Sequence, residues 1–328
     1  MKLGSKKILL TGATGFVGRN LLQFLVKRGY NIRILVRKSS NLTPLRDVEY
    51  EKFFGDLLDY QSLTTAVEGI NLVVHAAAKV SSWGSYEHFK QINVDGTENL
   101  LRAISSGKTK IEKFLYLSSI AVYNNCPNGV INEESCKIMK SGWPYADTKI
   151  EAEQLVKKYG EIANIPFTII RVGDVLGPDS IWIKTPVNLI QRHLMFVVDH
   201  GEGLMNYLWV DDLLRSIRLI LENEISTGKT YNIVGGVISF GRYFSDLSKI
   251  LGKLPPKSIP YRIAYILYAL SEFFSKISRR QTEQTVNILR YINAKRTIST
   301  RKAESDLDWR TQISYTDIVE KIKATLSS

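Results

Sequence analysis

The stretch KKILLTGATGFVGRNLLQFLVKRG, residues 6–29, sets three patterns end to end. Ile8, Leu9 and Leu10 form an apolar run without polar alternation, as in a strand buried on both faces of a sheet. Gly12, Gly15 and Gly18 follow, and Leu21, Leu22 and Leu25 then recur with helical spacing until Gly29 breaks the pattern. Strand, glycine turn and helix in this order open a βαβ unit.

The same rhythm continues outward. Further strands are predicted at NIRILVR (31–37), VEYEKFFGDL (48–57), INLVVHAAA (70–78), IEKFLYLSS (111–119) and PFTIIRVGDV (166–175). Helical patterns fall between them at 60–69, 93–106 and 145–163. Such alternation specifies an α/β fold with a doubly wound parallel sheet, whose ligands bind at the carboxyl ends of the strands. After Gly177-Pro178 the rhythm turns irregular, although NYLWVDDLLRSIRLILEN (206–223) reads as a short strand and a helix returning to the sheet. The expected organisation is a Rossmann domain over 1–178, rejoined by 205–225, and a smaller C-terminal substrate lobe over 179–328.

At 328 residues the chain can bury a sizeable core. No charged stretch followed by an apolar run opens it, so a cytoplasmic location is expected. Cys126 and Cys136 fit no metal or redox motif and read as two free thiols. The four histidines lack ligand spacing, so no metal is expected. The net charge of +12 is uneven: residues 251–302 carry eleven Lys or Arg against Glu272 and Glu283. There is no internal repeat, and no nucleic-acid partner is expected.

The glycines have separate duties. Gly12 needs the conformational freedom of a tight turn, Gly15 lets a pyrophosphate approach the backbone, and Gly18 lets the helix pack closely. With Thr14, Phe16 and Val17 they form a dinucleotide cradle, where a helix N-terminus turns free N–H groups and a positive dipole end to the phosphates. An acid at the end of the second strand would hold the ribose 2′-hydroxyl of NAD. Arg37 and Lys38 stand there instead and suit a 2′-phosphate, so NADP(H) is preferred, with NAD(H) as the second candidate.

Three tyrosines, Tyr86, Tyr145 and Tyr291, each precede a lysine by four residues. Spacing alone chooses none of them. Only Tyr145 follows directly on a strand ending in Ser118 and Ser119; Tyr86 has no such strand before it and Tyr291 lies in the irregular lobe. Hydride transfer at a carbinol carbon needs a proton moved on the oxygen, and a phenol of pKa about 10 is a poor base at neutral pH. Lys149, one helical turn on, would stabilise the phenolate and reach the ribose, while Ser119 would align the substrate oxygen.

With these motifs in place the chain resembles an extended short-chain dehydrogenase/reductase over nearly its whole length. The matching residues are TGATGFVG (11–18), GDL (55–57), HAAA (75–78), NVDGT (93–97), LSS (117–119), YADTK (145–149), RVGDVLGP (171–178) and WVDDL (209–213). The resemblance implies Asp56 and Leu57 by the adenine, Ala76, Ala77 and Ala78 along the dinucleotide, Asn93 near the strand ends, and Val172 with Val175 against the nicotinamide. Val172 departs from the proline common in the family. Dehydratases of this type usually carry an Asp-Glu pair after the active serine or threonine, where this chain reads Ile120-Ala121. Epimerases commonly show Arg-Asp before the VDD motif, where this chain has Met205-Asn206-Tyr207. AAKVSSWGSYEHFKQINVDGT and IPYRIAYILYALSEFFSKI resemble instead the branch of 3β-hydroxysteroid dehydrogenase-like and dihydroflavonol reductase-like enzymes.

The reading is therefore an NAD(P)-dependent oxidoreductase for an alcohol or ketone on an apolar, steroid-, lipid- or polycyclic-like substrate. A sugar-nucleotide epimerase using the same triad and a dinucleotide-sensing binding protein are its rivals. Residues 259–278 hold an apolar run from Ile263 to Leu270, short of the roughly 20 residues that span a bilayer. That segment is expected to roof the pocket, to lie on a membrane surface with the basic 251–302 segment, or to form a homodimer contact.

Overall fold

The computed structural model describes residues 6–278, 282 and 284–327. The side chain of Lys276 and residues Arg279, Arg280 and Glu283, all counted in the basic segment, lie outside the described residues. Seven strands form one parallel sheet: β1 (Lys7–Thr11), β2 (Asn31–Val36), β3 (Glu51–Phe54), β4 (Leu72–His75), β5 (Lys113–Ser119), β6 (Phe167–Val172) and β7 (Lys229–Ile233). Their order is β7-β6-β5-β4-β1-β2-β3. The chain winds outward from β1 to β3 and then crosses back to β4, so the order reverses between β1 and β4. A crevice opens at that point, at the carboxyl ends of the strands.

Alternation along β1 supplies both faces of the sheet. Ile8 and Leu10 enter one core with Leu21 and Leu22 of the Phe16–Val26 helix and Leu213 and Ile217 of the Val210–Glu222 helix. Leu9 enters the other with Leu63, Leu100 and Val156. The six strands expected from the apolar runs are all present.

The return of the chain differs from expectation. Residues 205–225 do contribute a helix that packs on the Rossmann layer, but strand Leu204–Trp209 joins a separate three-stranded sheet with Asp174–Leu176 and Gly236–Ser239. The strand that completes the main sheet is β7, beyond that helix. The far C-terminus also folds back: the buried Asp212 carboxylate accepts from Gln312 N at 3.1 Å and Ile313 N at 3.2 Å, and Trp309 donates to the Asp212 carbonyl.

The two cysteines are not free. Cys126 and Cys136 form a disulfide, with Cα atoms 6.1 Å apart, because the strand Gly129–Ile131 between them turns back to pair with Arg296–Ile298. Arg296 braces the same loop, donating from Nη1 to the carbonyls of Tyr123, Asn124 and Cys126.

One buried bridge joins the Pro144–Ile162 helix to β6. Arg171 donates to both Glu153 oxygens, from Nη2 to Oε2 at 2.7 Å and from Nε to Oε1 at 3.0 Å. Its Nη1 reaches the Tyr123 hydroxyl at 2.7 Å, which in turn donates to Asn232 on β7 at 2.8 Å. Removing one partner of such a pair strands a buried charge. Arg171→Met should therefore cost about 3–5 kcal/mol in denaturant unfolding; a loss below about 1 kcal/mol, the range of an exposed pair, would refute the anchoring role.

Candidate active site

The turn between β1 and the first helix is built as a cradle. Gly12 has φ +75°, and a Cβ there would lie 2.6 Å from the Ala77 nitrogen. A Cβ on Gly18 would collide with the Gly12 carbonyl. Gly15 is the helix N-cap and brings no side chain to cap the first-turn amides, which leaves them for an anion. Thr11 and His75 fix the neighbouring strand ends: His75 Nδ1 meets Thr11 Oγ1 at 2.7 Å and its Nε2 meets Thr97 Oγ1 at 2.9 Å. Burial, helped by the Lys149 charge, drives the His75 pKa down to about 3, so this ring works as a neutral strut. These features fit a dinucleotide, whose pyrophosphate the helix N-terminus would hold.

One cavity of about 1010 Å³ runs from this cradle to the C-terminal lobe. All the expected cofactor residues line it except Lys38 and Asn93. Lys38 is exposed beside the rim. Asn93, in the short π-helical turn Gln91–Asp95, is buried behind the wall, where it bonds both backbone groups of Lys79 and donates to Thr148 at 3.0 Å. It clips the loop after β4 to the Pro144–Ile162 helix.

Ser119, Tyr145 and Lys149 meet in this cavity. Ser119 ends β5, its Oγ accepts from Ala121 N at 3.1 Å, and its side chain acts on Tyr145 so as to lower the phenol's pKa. Tyr145 sits in the first turn of its helix, behind Pro144 at the first position. Asp147 pins the loop before it by accepting from Ser141 N at 2.7 Å and Gly142 N at 3.0 Å. Lys149 donates to the Leu117 carbonyl at 2.5 Å and lies over the Tyr116 ring at 4.2 Å.

The other two couples separate. Tyr86 donates to Glu151 at 2.6 Å, and Lys90 pairs with Asp95. Tyr291 does reach the same cavity, but Lys295 turns away to Glu202.

Electrostatics here differ from the simple expectation that the ammonium lowers the phenol. Burial raises the Tyr145 pKa; the Ser119 bond lowers it and the Asp174 carboxylate raises it further. Burial also brings Lys149 down to about 7, opposed by Glu153. Raised in this way, the phenol keeps its proton at neutral pH.

Four residues complete the wall: Trp143, Asp174 and Trp182, to which the sequence assigned no role in the site, and Tyr291, which it had set aside. Tyr291 donates to Asp174 Oδ1 at 2.6 Å, and the Trp143 ring contacts both Tyr145 and Tyr291 at 5.6 Å, with Trp182 beyond. Trp143 Nε1 and Ser118 Oγ are buried with no hydrogen-bond partner among the described residues. The only advance signals were the position of Trp143 two residues before Tyr145 and the place of Asp174 just past β6.

Burial pushes the Asp174 carboxyl up to about 7, against the opposing bonds from Tyr291 and Asn206 N. The folded chain therefore keeps a proton that the unfolded chain loses, and this group's contribution to stability falls as pH rises from about 4 to about 7. Lys149 has the opposite sign and acts only above about 7. Asp174→Asn should flatten the lower window: its melting temperature should gain on wild type between about pH 4 and pH 7. A wild type that gains on the variant instead would contradict the buried-acid assignment.

The family described as NAD dependent epimerase/dehydratase matches residues 8–234. The dTDP-D-glucose 4,6-dehydratase of Dictyostelium discoideum is 31% identical over 70% of this chain, which spans 58% of that relative's length. Sterol demethylase protein B of Methylococcus capsulatus is 26% identical, covering 86% of this chain and 87% of the relative. Among solved structures, UDP-glucuronic acid 4-epimerase from Bacillus cereus, determined with UDP-glucuronic acid and NAD, superposes with a TM-score of 0.78 at 24% identity, over 98% of this chain and 99% of that one. The chain belongs to the NAD dependent epimerase/dehydratase family, the extended short-chain dehydrogenase/reductases, and is an enzyme of that family.

Proposed function

We propose that this enzyme is an NADP-preferring oxidoreductase that interconverts an alcohol and a ketone on an apolar, polycyclic or lipid-like substrate. One observation carries the reading. Where residues 172–292 line the cavity, the described wall is built by Trp182, Leu189, Met195, Phe244, Tyr268 and Tyr291 among others, and it includes no Lys or Arg. The carboxylates Asp174 and Asp179 do lie there. A sugar-nucleotide diphosphate would call for cations on this side; an apolar ring system calls for aromatic and aliphatic walls. The name of the sterol demethylase relative is consistent with an apolar substrate. Elimination of the dehydratase kind has no support beside the active serine, since Ile120 and Ala121 are buried apolar residues.

The bound nicotinamide supplies or accepts the hydride. Tyr145 holds the proton that the substrate oxygen takes in reduction, and Ser119 orients that oxygen through its hydroxyl. Lys149, close to its titration point, supports the phenolate when the proton leaves. At the other end of the cavity Arg37 is exposed at the end of β2 and forms no ion pair with a described residue, so its guanidinium is free for a 2′-phosphate.

Tyr145→Phe should lower kcat by about 10²–10⁴-fold with little change in cofactor affinity, as measured by steady-state kinetics beside calorimetry. Retained activity there, with loss in Tyr291→Phe, would move the acid–base role to Tyr291. NADPH should bind about tenfold to a hundredfold more tightly than NADH, and Arg37→Ala should erase the difference. Equal affinities in wild type would defeat the NADP assignment. In a cofactor-oxidation screen, sterol-like or long-chain ketones should turn over; turnover of sugar nucleotides alone would overturn the substrate reading.

A further inference from the structure

The helix Tyr261–Ser278 has two different sides. Ala264 and Ser275 are buried, Tyr268 lines the active-site cavity, and the cluster of Ala264, Leu289 and Val198 ties this side to the rest of the lobe. The other side is exposed and apolar. Ile263, Ile266, Leu270, Phe273 and Ile277 recur at alternating spacings of three and four, with Leu267 and Phe274 beside them, so they form a single stripe along the helix. Phe274 is 61% and Ile277 65% exposed, and Leu254, in the loop that leads to the helix, is 89% exposed. A monomer seldom leaves so continuous an apolar patch to water.

The charges around the stripe say what covers it. Lys253, Lys257 and Arg262 are exposed, and none forms an ion pair with another described residue. The carboxylate of Glu272 accepts from Val286 N at 3.3 Å. No helix among the described residues is long and apolar enough to cross a membrane. An amphipathic helix of this kind lies in the plane of the interface, its apolar side among the acyl chains and its cations at the headgroups. A second copy of the chain would add its own cations to the same rim, between two proteins of net charge +12. We infer that the outer stripe of Tyr261–Ser278, with Lys253, Lys257 and Arg262, docks the enzyme on an anionic phospholipid surface. The docking does not depend on the substrate reading, since no substrate enters the assay that tests it.

The test is flotation of the full chain with phosphatidylcholine vesicles, with and without phosphatidylserine, at low and high salt. The chain should float with the anionic vesicles at low salt and stay behind with neutral vesicles or at high salt. Phe273→Asp combined with Phe274→Asp should reduce flotation more than tenfold while leaving calorimetric cofactor binding intact. Lys253→Glu combined with Lys257→Glu should reduce it at least about fivefold for each charge removed. Failure of the wild-type chain to float with anionic vesicles at low salt overturns the proposal. So does equal flotation of the Phe273/Phe274 double variant. A wild-type dimer in sedimentation that this variant converts to monomer, without flotation, would assign the stripe to a second copy.

Discussion

A buried charge must meet its opposite, and the Glu153–Arg171 bridge is where this chain satisfies that constraint. Both side chains are almost wholly removed from water, at 5% and 3% exposure, so neither tolerates the loss of the other. Glu153 lies one helical turn beyond Lys149 and two turns beyond Tyr145 on the same helix, while Arg171 lies on the neighbouring strand β6. The bridge therefore ties the helix that carries Tyr145 and Lys149 to the strand beside the one that carries Ser119. Through Tyr123 and Asn232 it extends to β7. Asp147 and Asn93 finish the clamp at the other end of the helix, one holding the preceding loop and the other the loop after β4.

The site inside this clamp is governed by burial more than by its charges. Desolvation is the leading cause of the shift at His75, Tyr145, Lys149 and Asp174. The results suit reduction of a carbonyl. His75 stays neutral and structural, Tyr145 keeps its proton, and Lys149 lies close to its titration point. Where Asp174 is charged, it adds to the rise of the Tyr145 pKa.

Much of this was legible in the sequence because it depends on local pattern. Apolar runs such as Leu72–Val74 have no solvent side and could only be interior strands, and the spacing of Gly12, Gly15 and Gly18 follows from close approach at each position. Serine at the end of β5 separated Tyr145 from Tyr86 and Tyr291. What was not legible depends on long-range pairing. β7 is a short strand of mixed polarity whose identity comes from lying along β6. Strand Leu204–Trp209 has an interior pattern and went to a different sheet, because Asp174–Leu176 and Gly236–Ser239 offer its edges. The Cys126–Cys136 bond rests on a loop that Arg296 holds from about 170 residues away in sequence. The Tyr291–Asp174 bond joins residues 117 positions apart, which no motif records.

In the proposed reaction Tyr145 and a bound nicotinamide would act together on an apolar carbonyl. The most direct measurement is mass spectrometry of the alcohol formed when the enzyme reduces a sterol-like ketone with NADPH deuterated at the transferable C4 position. The account predicts one deuterium in each product molecule, on the carbinol carbon. Product that carries no deuterium, or a cofactor that keeps its label while a sugar nucleotide is epimerised, would contradict it.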